Sequence, residues 1–564
     1  MLESNIKKDI ISLLQSSFSE AQKKKSLPAY AIQSSDIEST IERTKNPEHG
    51  DISSTLPLRL AKSLKMSPMA IAQAIIDEIH PLENSISEIV PAAPGFINFH
   101  ISNEWYTNQV NEIIKSGNNF GNLPNGLGKS IQLEFGSNNP TGPLHVGHGR
   151  GVVFGSTLAN ILEAAGYQVH REYYINDYGN QIEMFGRSIL ANYLTINGQP
   201  TEVPDGGYKG EYVGEIATKL IDIHGNSILS LDEKASLDIC IDFGLNEMLS
   251  EIKDDLEKLN IQYDEWFSER SLFASGQYKK TLEILENQNH TNSKDGALWF
   301  SSTKLGEEKD NVLIRKNGSP TYFASDIAYH YDKFSNRNFD QVIDVWGADH
   351  QGHISRMKAA MGALGLDPEK LTILITQIVT FKVGNESVRL SKRSGNISLL
   401  SELINDVGPD ACRYFFLSHS SRSQMEFDLE LAKQQSNENP VYYIQYAFAR
   451  AHNIIEKAKE INLTFANADV SYLDTESELK LIKSMLKLPE IIDIASDSLE
   501  PHHLPYYSIE LATAFHGFYD RCRVISENDS QIDLTMARLK LVSASMLVLS
   551  RCLDLMGMRS PTSM

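Results

Sequence analysis

The stretch Ser130-Ile-Gln-Leu-Glu134-Phe135-Gly136-Ser-Asn138-Asn139-Pro140-Thr-Gly142-Pro-Leu-His145-Val-Gly147-His148-Gly-Arg150 decides the fold. Its first six residues predict a strand, and the Gly/Asn/Pro run behind them predicts a loop. A helical pattern then begins near Gly147 and carries Val153, Leu158, Ile161 and Leu162. Strand, Gly/Pro loop and helix together open a nucleotide-binding βα unit. His145 and His148, three apart at the mouth of that helix, fall on one face and can both address a ligand. Gly147 lets a phosphate or adenine approach the backbone, and a helix N-terminus favours anions. Taken alone, H-x-G-H reads more readily as an ordinary βα turn whose histidines cap a helix.

Working outward, further strands are predicted at Val169–Ile175, Val342–Trp346 and Leu371–Ile375, with helical patterns between them. The economical fold is therefore α/β, a Rossmann-type doubly wound parallel sheet. Upstream, residues 1–115 read as a small α/β module ending near the alternating run Phe96–Ile101, and a Gly/Asn/Pro-rich linker runs from Gly117 to Gly128. The sheet region is placed at 128–435. From 436 to 564 the pattern is nearly all helical, which predicts a separate bundle. Residues 202–310 are polar, helical and acidic, with 23 Asp+Glu against 11 Lys+Arg, and are read as an insertion between the halves of the nucleotide fold.

The 564 residues predict three or more domains, and 41% apolar with 22% charged residues is a globular composition. The four cysteines, Cys240, Cys412, Cys522 and Cys552, form no C-x-x-C pair, so neither a thiolate zinc site nor a disulfide scaffold is expected. No apolar leader or membrane-length span is read, and the expected location is the reducing cytoplasm. A formal net charge of −21 argues at first sight against nucleic-acid binding.

A second motif lies downstream, Val388-Arg-Leu-Ser-Lys392-Arg-Ser-Gly-Asn396. Alone it reads as a solvated basic turn. On a nucleotide fold it reads as a mobile loop that brings Lys392 onto separating triphosphate oxygens.

Together, H-V-G-H and L-S-K-R-S resemble the H-I-G-H and K-M-S-K-S signatures of class I aminoacyl-tRNA synthetases. Glu134–His148, Tyr174-Ile-Asn-Asp-Tyr-Gly-Asn-Gln181, Tyr322-Phe-Ala-Ser-Asp326, Asp410-Ala-Cys-Arg413 and Pro94-Gly-Phe-Ile-Asn-Phe99 are similar to arginyl-tRNA synthetases of the bacterial type. Leu390 stands where the signature has Met, and Arg393 replaces its last Ser. The resemblance implies ATP-dependent ligation of arginine to tRNA(Arg) in two steps, with arginine activation dependent on bound tRNA. It implies His145, His148 and Lys392 as catalytic residues and an ATP site of Asn138, Pro140, Gly142, Gly147, Gly347 and Asp349 with those three. It implies an arginine site of Glu134, Asn139, Tyr322, Asp326 and His350, and a pocket shaped by Asn176, Asp177 and Gln181. Those last three read equally as turn formers. Magnesium arriving with ATP, no metal cage or zinc in the protein, no membrane and a monomeric chain complete the expectation.

A planar guanidinium with five N–H donors is best read by carboxylates in a fork, and Tyr322 and Asp326 share a helical face. In the helical C-terminus, which the resemblance makes an anticodon-binding domain, Arg450, Arg521 and Arg523 are candidate tRNA contacts. Tyr443, Tyr446 and Tyr519 are candidate stacking partners, though core packing is the simpler reading of each tyrosine. Residues 1–115 and 440–564 are close to neutral, with net charges of −3 and −4. The acidic 202–310 stretch is therefore expected to face away from the tRNA backbone.

Overall fold

The computed structural model describes residues 2–44, 46–80, 85–383, 386–388 and 399–564. The basic motif around Lys392 lies outside them. At the centre is a five-stranded, wholly parallel sheet. Across it the order is Leu371–Thr376, Gln341–Gly347, Ser130–Glu134, Gln168–Ile175 and Glu265–Ser268. The chain thus starts in the middle, runs outward to one edge, then returns to build the other side. The reversal falls between Ser130–Glu134 and Gln341–Gly347, and ligands bind beyond the strand ends at such a switch point. Ile131, Leu133, Val342, Ile343 and Leu371 are buried, as expected of strands covered on both faces.

The helix Val146–Ala164 crosses behind the first strand, and most of its residues are buried. Its glycines set the depth of that contact. A Cβ on Gly155 would lie 2.2 Å from Cγ of Phe135, and one on Gly149 would lie 2.6 Å from the Phe416 ring. The 202–310 stretch departs from the sequence reading. It is not one insertion, because Glu265–Ser268 within it is the edge strand of the central sheet. That strand, Glu-Trp-Phe-Ser, is too short and too polar to declare itself. Before it come the helices Glu211–His224 and Glu233–Lys258. After it come Thr291–Lys294, Ala297–Phe300 and Asn311–Ile314, a separate three-stranded antiparallel sheet.

The N-terminal unit is a four-stranded antiparallel sheet, in the order Ile41–Arg43, Ile52–Ser54, Phe96–Ile101, Ile86–Ala92, with helices such as Leu2–Lys23 and Pro68–Ile76. Residues 103–116, placed with this unit by sequence as far as 115, instead form a helix packed on Glu476–Met485 and Ile532–Leu555 of the C-terminal bundle. Its buried Tyr106, Val110 and Ile113 need an apolar partner, and the bundle supplies it. The 117–128 stretch is a docked strap, with the amides of Leu123 and Gly126 bonding the carbonyls of Ala164 (2.7 Å) and Ala165 (2.9 Å). Ion pairs Lys483–Asp51 (2.6 Å) and Arg43–Glu490 (2.8 Å) join the N-terminal unit to the bundle.

Asp410–Arg413 is a packing element. Arg413 is fully buried and donates to the carbonyls of Met556 and Leu259 and to the hydroxyls of Ser156 and Thr157. It thereby ties the 146–164 helix to the end of the chain. Among the described residues no helix is long and apolar enough to cross a membrane.

The Gly155–Phe135 contact makes a direct prediction. Gly155→Ala forces the helix off the first strand, costs about 1–3 kcal/mol as overpacking does, and lowers the midpoint of a thermal melt followed by circular dichroism. An unchanged midpoint would mean that the helix does not sit this close to the sheet.

Candidate active site

Beyond the strand ends at the switch point lies a cavity of about 570 Å³. Four regions bring side chains into it: the loop and helix start after Ser130–Glu134, the end of Gln168–Ile175 and the residues after it, the helix Tyr322–Ser335, and the end of Gln341–Gly347 with the turn behind it.

At the helix start the two histidines cap the helix they introduce. Nδ1 of His145 accepts from the Gly147 amide at 3.2 Å, and Nδ1 of His148 accepts from the His145 amide at 3.1 Å. An Nδ1 that accepts leaves its hydrogen on Nε2, so each neutral ring presents an Nε2–H donor. Burial, then the nearness of a second imidazole at His145, pulls the His148 imidazole down to about 4, so it is neutral at pH 7. His148 and Gly147 line the cavity; His145 does not, its ring centroid lying 6.3 Å from that of His148. The two readings of H-x-G-H are thus compatible, because capping fixes the tautomer that a ligand would meet.

In the loop ahead, Glu134, Asn138 and Asn139 line the cavity, whereas Pro140 and Gly142 stand outside it. Asn139 accepts from Nδ2 of Asn176 at 2.9 Å. A Cβ on Gly142 would come within 3.3 Å of the Tyr212 hydroxyl, so this glycine accommodates a neighbouring side chain. Asn176 and Gln181 line the cavity, but Asp177 instead accepts from the Ser268 hydroxyl (2.6 Å) and the Arg270 amide (3.0 Å). It ties the loop after Gln168–Ile175 to the chain that follows the edge strand.

Tyr322 and Asp326 share the cavity face of their helix, capped by Thr321. Burial raises the Asp326 carboxyl to about 6, opposed by His330 and reinforced by Glu134 and Asp344. Close by is Glu269, which the sequence reading missed. It is buried, burial lifts it to about 7 with Asp326 and Asp177 adding repulsion, and its Oε2 has no hydrogen-bond partner. The Tyr322 phenol is also raised, by burial and then by the charge of Glu269. Glu269 starts a helix directly after the edge strand, a position where sites form. That signal was lost with the unrecognised strand. A cavity-lining carboxylate, Asp326, with the buried Glu269 behind it outside the lining, suits a cation with several N–H donors.

Gly347, Asp349, His350 and His353 line the remaining wall. A Cβ on Gly347 would lie 2.8 Å from Oδ1 of Asp349, and the Asp349 and His350 side chains approach to 3.6 Å. In the bundle, Arg450 lies between the Tyr446 and Tyr519 rings, 4.5 and 4.3 Å from their centroids. Arg523 pairs with Glu527 at 2.8 Å, and Arg521 is exposed at a helix end. Among the described residues a group with metal-ligand spacing is His170, Glu172 and Glu265, outside the cavity lining. Arg337 already bonds both carboxylates, so a guanidinium holds the cation position.

Comparison with known proteins agrees with this architecture. Residues 5–101 match the arginyl tRNA synthetase N terminal domain, 109–200 and 239–416 the tRNA synthetases class I (R) catalytic domain, and 444–564 the DALR anticodon binding domain. An arginine–tRNA ligase of Dehalococcoides mccartyi is 50% identical over 559 residues, 99% of each chain. One of Carboxydothermus hydrogenoformans is 45% identical over 93% of this chain and 94% of its own. The Thermus thermophilus arginyl-tRNA synthetase superposes with a TM-score of 0.71 over 98% of this chain and 99% of that one, at 23% identity, which speaks for the fold. A full-length match of this order, on a class I sheet with both flanking units, places the chain in the arginine–tRNA ligase family, enzymes that use ATP to charge tRNA with arginine.

Proposed function

We propose that the 570 Å³ cavity is where arginine is activated. Its carboxylate attacks the α-phosphorus of ATP in line, pyrophosphate leaves, and a hydroxyl of the tRNA's terminal adenosine then takes the arginyl group and releases AMP. One observation carries the reading: the same cavity holds a neutral N–H donor at a helix start, His148, and the under-paired carboxylate Asp326 with Glu269 behind it. The first suits a phosphate gaining charge, the second a guanidinium.

In this reading Asn138, Gly147, His148, Gly347 and Asp349 surround ATP, and Pro140 and Gly142 shape the loop. His145 and His148 stabilise the pentacoordinate phosphorus, with Lys392 of the basic motif joining them. Tyr322, Asp326 and Glu269 read the guanidinium, and Asn139 and His350 complete the wall. Glu134 takes the α-ammonium, since a carboxylate beside the reacting carboxylate would repel it. Lysine is rejected because a compact ammonium leaves part of a planar, two-carboxylate site unpaired. Magnesium enters with the phosphates, and no zinc is required. The N-terminal unit and the bundle grip the tRNA, with Arg450, Arg521 and Arg523 as contacts, and the enzyme works as a cytoplasmic monomer.

Two measurements test this. His148→Ala should cut kcat for arginine-dependent ATP–pyrophosphate exchange, assayed with tRNA present, by roughly 10²–10³, the usual loss for one charge-stabilising donor. The KM for arginine should change little, and exchange at the wild-type rate would move the phosphate site elsewhere. The second concerns pH. Glu269 near 7 and Asp326 near 6 bind protons as pH falls, and the protonated forms do not hold a cation. In wild type, kcat/KM for arginine should therefore fall as pH drops from 7.5 to 5.5. In Glu269→Gln it should be more than tenfold lower at pH 7.5, with the gap closing toward pH 5.5 as wild-type Glu269 takes up its proton, and the acid limb moved down toward 6. A profile flat over this range would separate these carboxylates from substrate.

A further inference from the structure

Glu134 and Asp344 occupy directly paired positions on adjacent parallel strands, and both are buried. Between them stands Lys333, a fully buried lysine from the last turn of Tyr322–Ser335. Its ammonium donates to Oε2 of Glu134 at 2.7 Å and to Oδ1 of Asp344 at 2.8 Å. The second Asp344 oxygen lies 2.7 Å from Nε2 of His330, whose Nδ1–H donates to the backbone carbonyl of Asp326 at 2.7 Å. A continuous hydrogen-bonded chain thus runs from Glu134, on the strand side of the cavity, to the turn that carries Asp326.

We infer that Lys333 is a positioning residue for arginine: it holds one oxygen of Glu134 and leaves the other for the α-ammonium, while His330 keeps its own bonds to Asp344 and to the Asp326 carbonyl. Lys333 does not line the cavity and touches no substrate atom; it acts through Glu134. The assignment rests on Glu134 holding the ammonium in the reading above. Removing the lysine leaves two buried carboxylates side by side without their cation, so Glu134 is freed to turn and repelled by its neighbour. The damage falls on the ammonium end of the substrate, because Asp326 and Glu269 do not bond Lys333.

The test compares arginine with 5-guanidinopentanoate, which keeps the guanidinium and carboxylate but lacks the α-amino group. In exchange assays with tRNA, Lys333→Met should raise the KM for arginine about tenfold or more, while the inhibition constant of the analogue and the KM for ATP change less than about threefold. Asp344→Asn, which keeps the shape of the array, should shift arginine selectively in the same direction and stands in if Lys333→Met does not fold. Equal weakening of arginine and analogue in the folded variants overturns the inference, since a merely structural lysine would behave so. Glu134→Gln separates the two layers. If it selectively weakens arginine and the Lys333 and Asp344 variants do not, the positioning role falls and the Glu134 reading survives. If Glu134→Gln weakens both ligands alike, the Glu134 reading itself falls.

Discussion

Four carboxylates stand in one register row across the central sheet: Asp344, Glu134, Glu172 and Glu265 face one another on successive parallel strands. Neighbouring strands are about 4.8 Å apart, and two like charges at that distance repel by about 3 kcal/mol even at an effective dielectric near 20. The row is tolerable because two cations one helical turn apart lie over it. Lys333 takes Asp344 and Glu134, and Arg337 takes Glu172 and Glu265. Both come from Tyr322–Ser335 and the residues just behind it, so pairing the row also fixes that helix over the switch point. Tyr322 and Asp326 at its other end are thereby aimed into the cavity. His170 and Arg337 hold the Glu172 carboxyl at about 2 against the opposing effect of burial. Position of the helix and charge of the row are one constraint.

Much of this was legible in the sequence, for definable reasons. Gln341–Gly347 and Leu371–Thr376 were readable as short, largely apolar runs, Ser130–Glu134 by the Gly/Asn/Pro loop and helix that follow it, and Gln168–Ile175 by its aromatic and β-branched end. The edge strand Glu265–Ser268 was not, having four residues of which two are Glu and Ser. With it went Glu269, whose meaning comes from following that strand. The helix Asn103–Ser116 fell inside the stretch assigned to the N-terminal unit, since a buried helix face does not name its partner in the sequence. His148, Tyr322 and Asp326 were singled out through the resemblance of their motifs to those of the synthetase family, and all three line the cavity. Lys333 was not, because a lysine on an amphipathic helix reads as solvated until the fold lays it against paired acids.

The acidic balance of the chain misleads for a similar reason. Net charge sums over faces that a partner never sees together. A large share of the excess is on Glu211–His224 and Glu233–Lys258, where residues such as Asp222, Glu233, Asp238 and Asp254 are exposed. Another part is internal, in the carboxylate row and at Asp326 and Glu269, and is matched by buried cations or kept for a cationic substrate.

Paired and under-paired acids inside one cavity wall have opposite effects on stability. Asp344 is held below its ordinary range by Lys333 and His330 against the effect of burial. That contribution is present above its unfolded-state pKa and is lost as pH falls through the folded value. Asp326 and Glu269 go the other way, raised from 3.8 to about 6 and from 4.5 to about 7. The folded chain then binds protons that the unfolded chain releases, so each raised carboxyl destabilises the ligand-free enzyme by about 3 kcal/mol above pH 7, at 1.36 kcal/mol per pH unit. The penalty disappears as pH falls toward 4. A bound guanidinium removes the same penalty at neutral pH by supplying the missing cation. The sheet is thus built to be stable with its own charges, and the cavity proposed for arginine to be stable only with a cation that the protein does not supply.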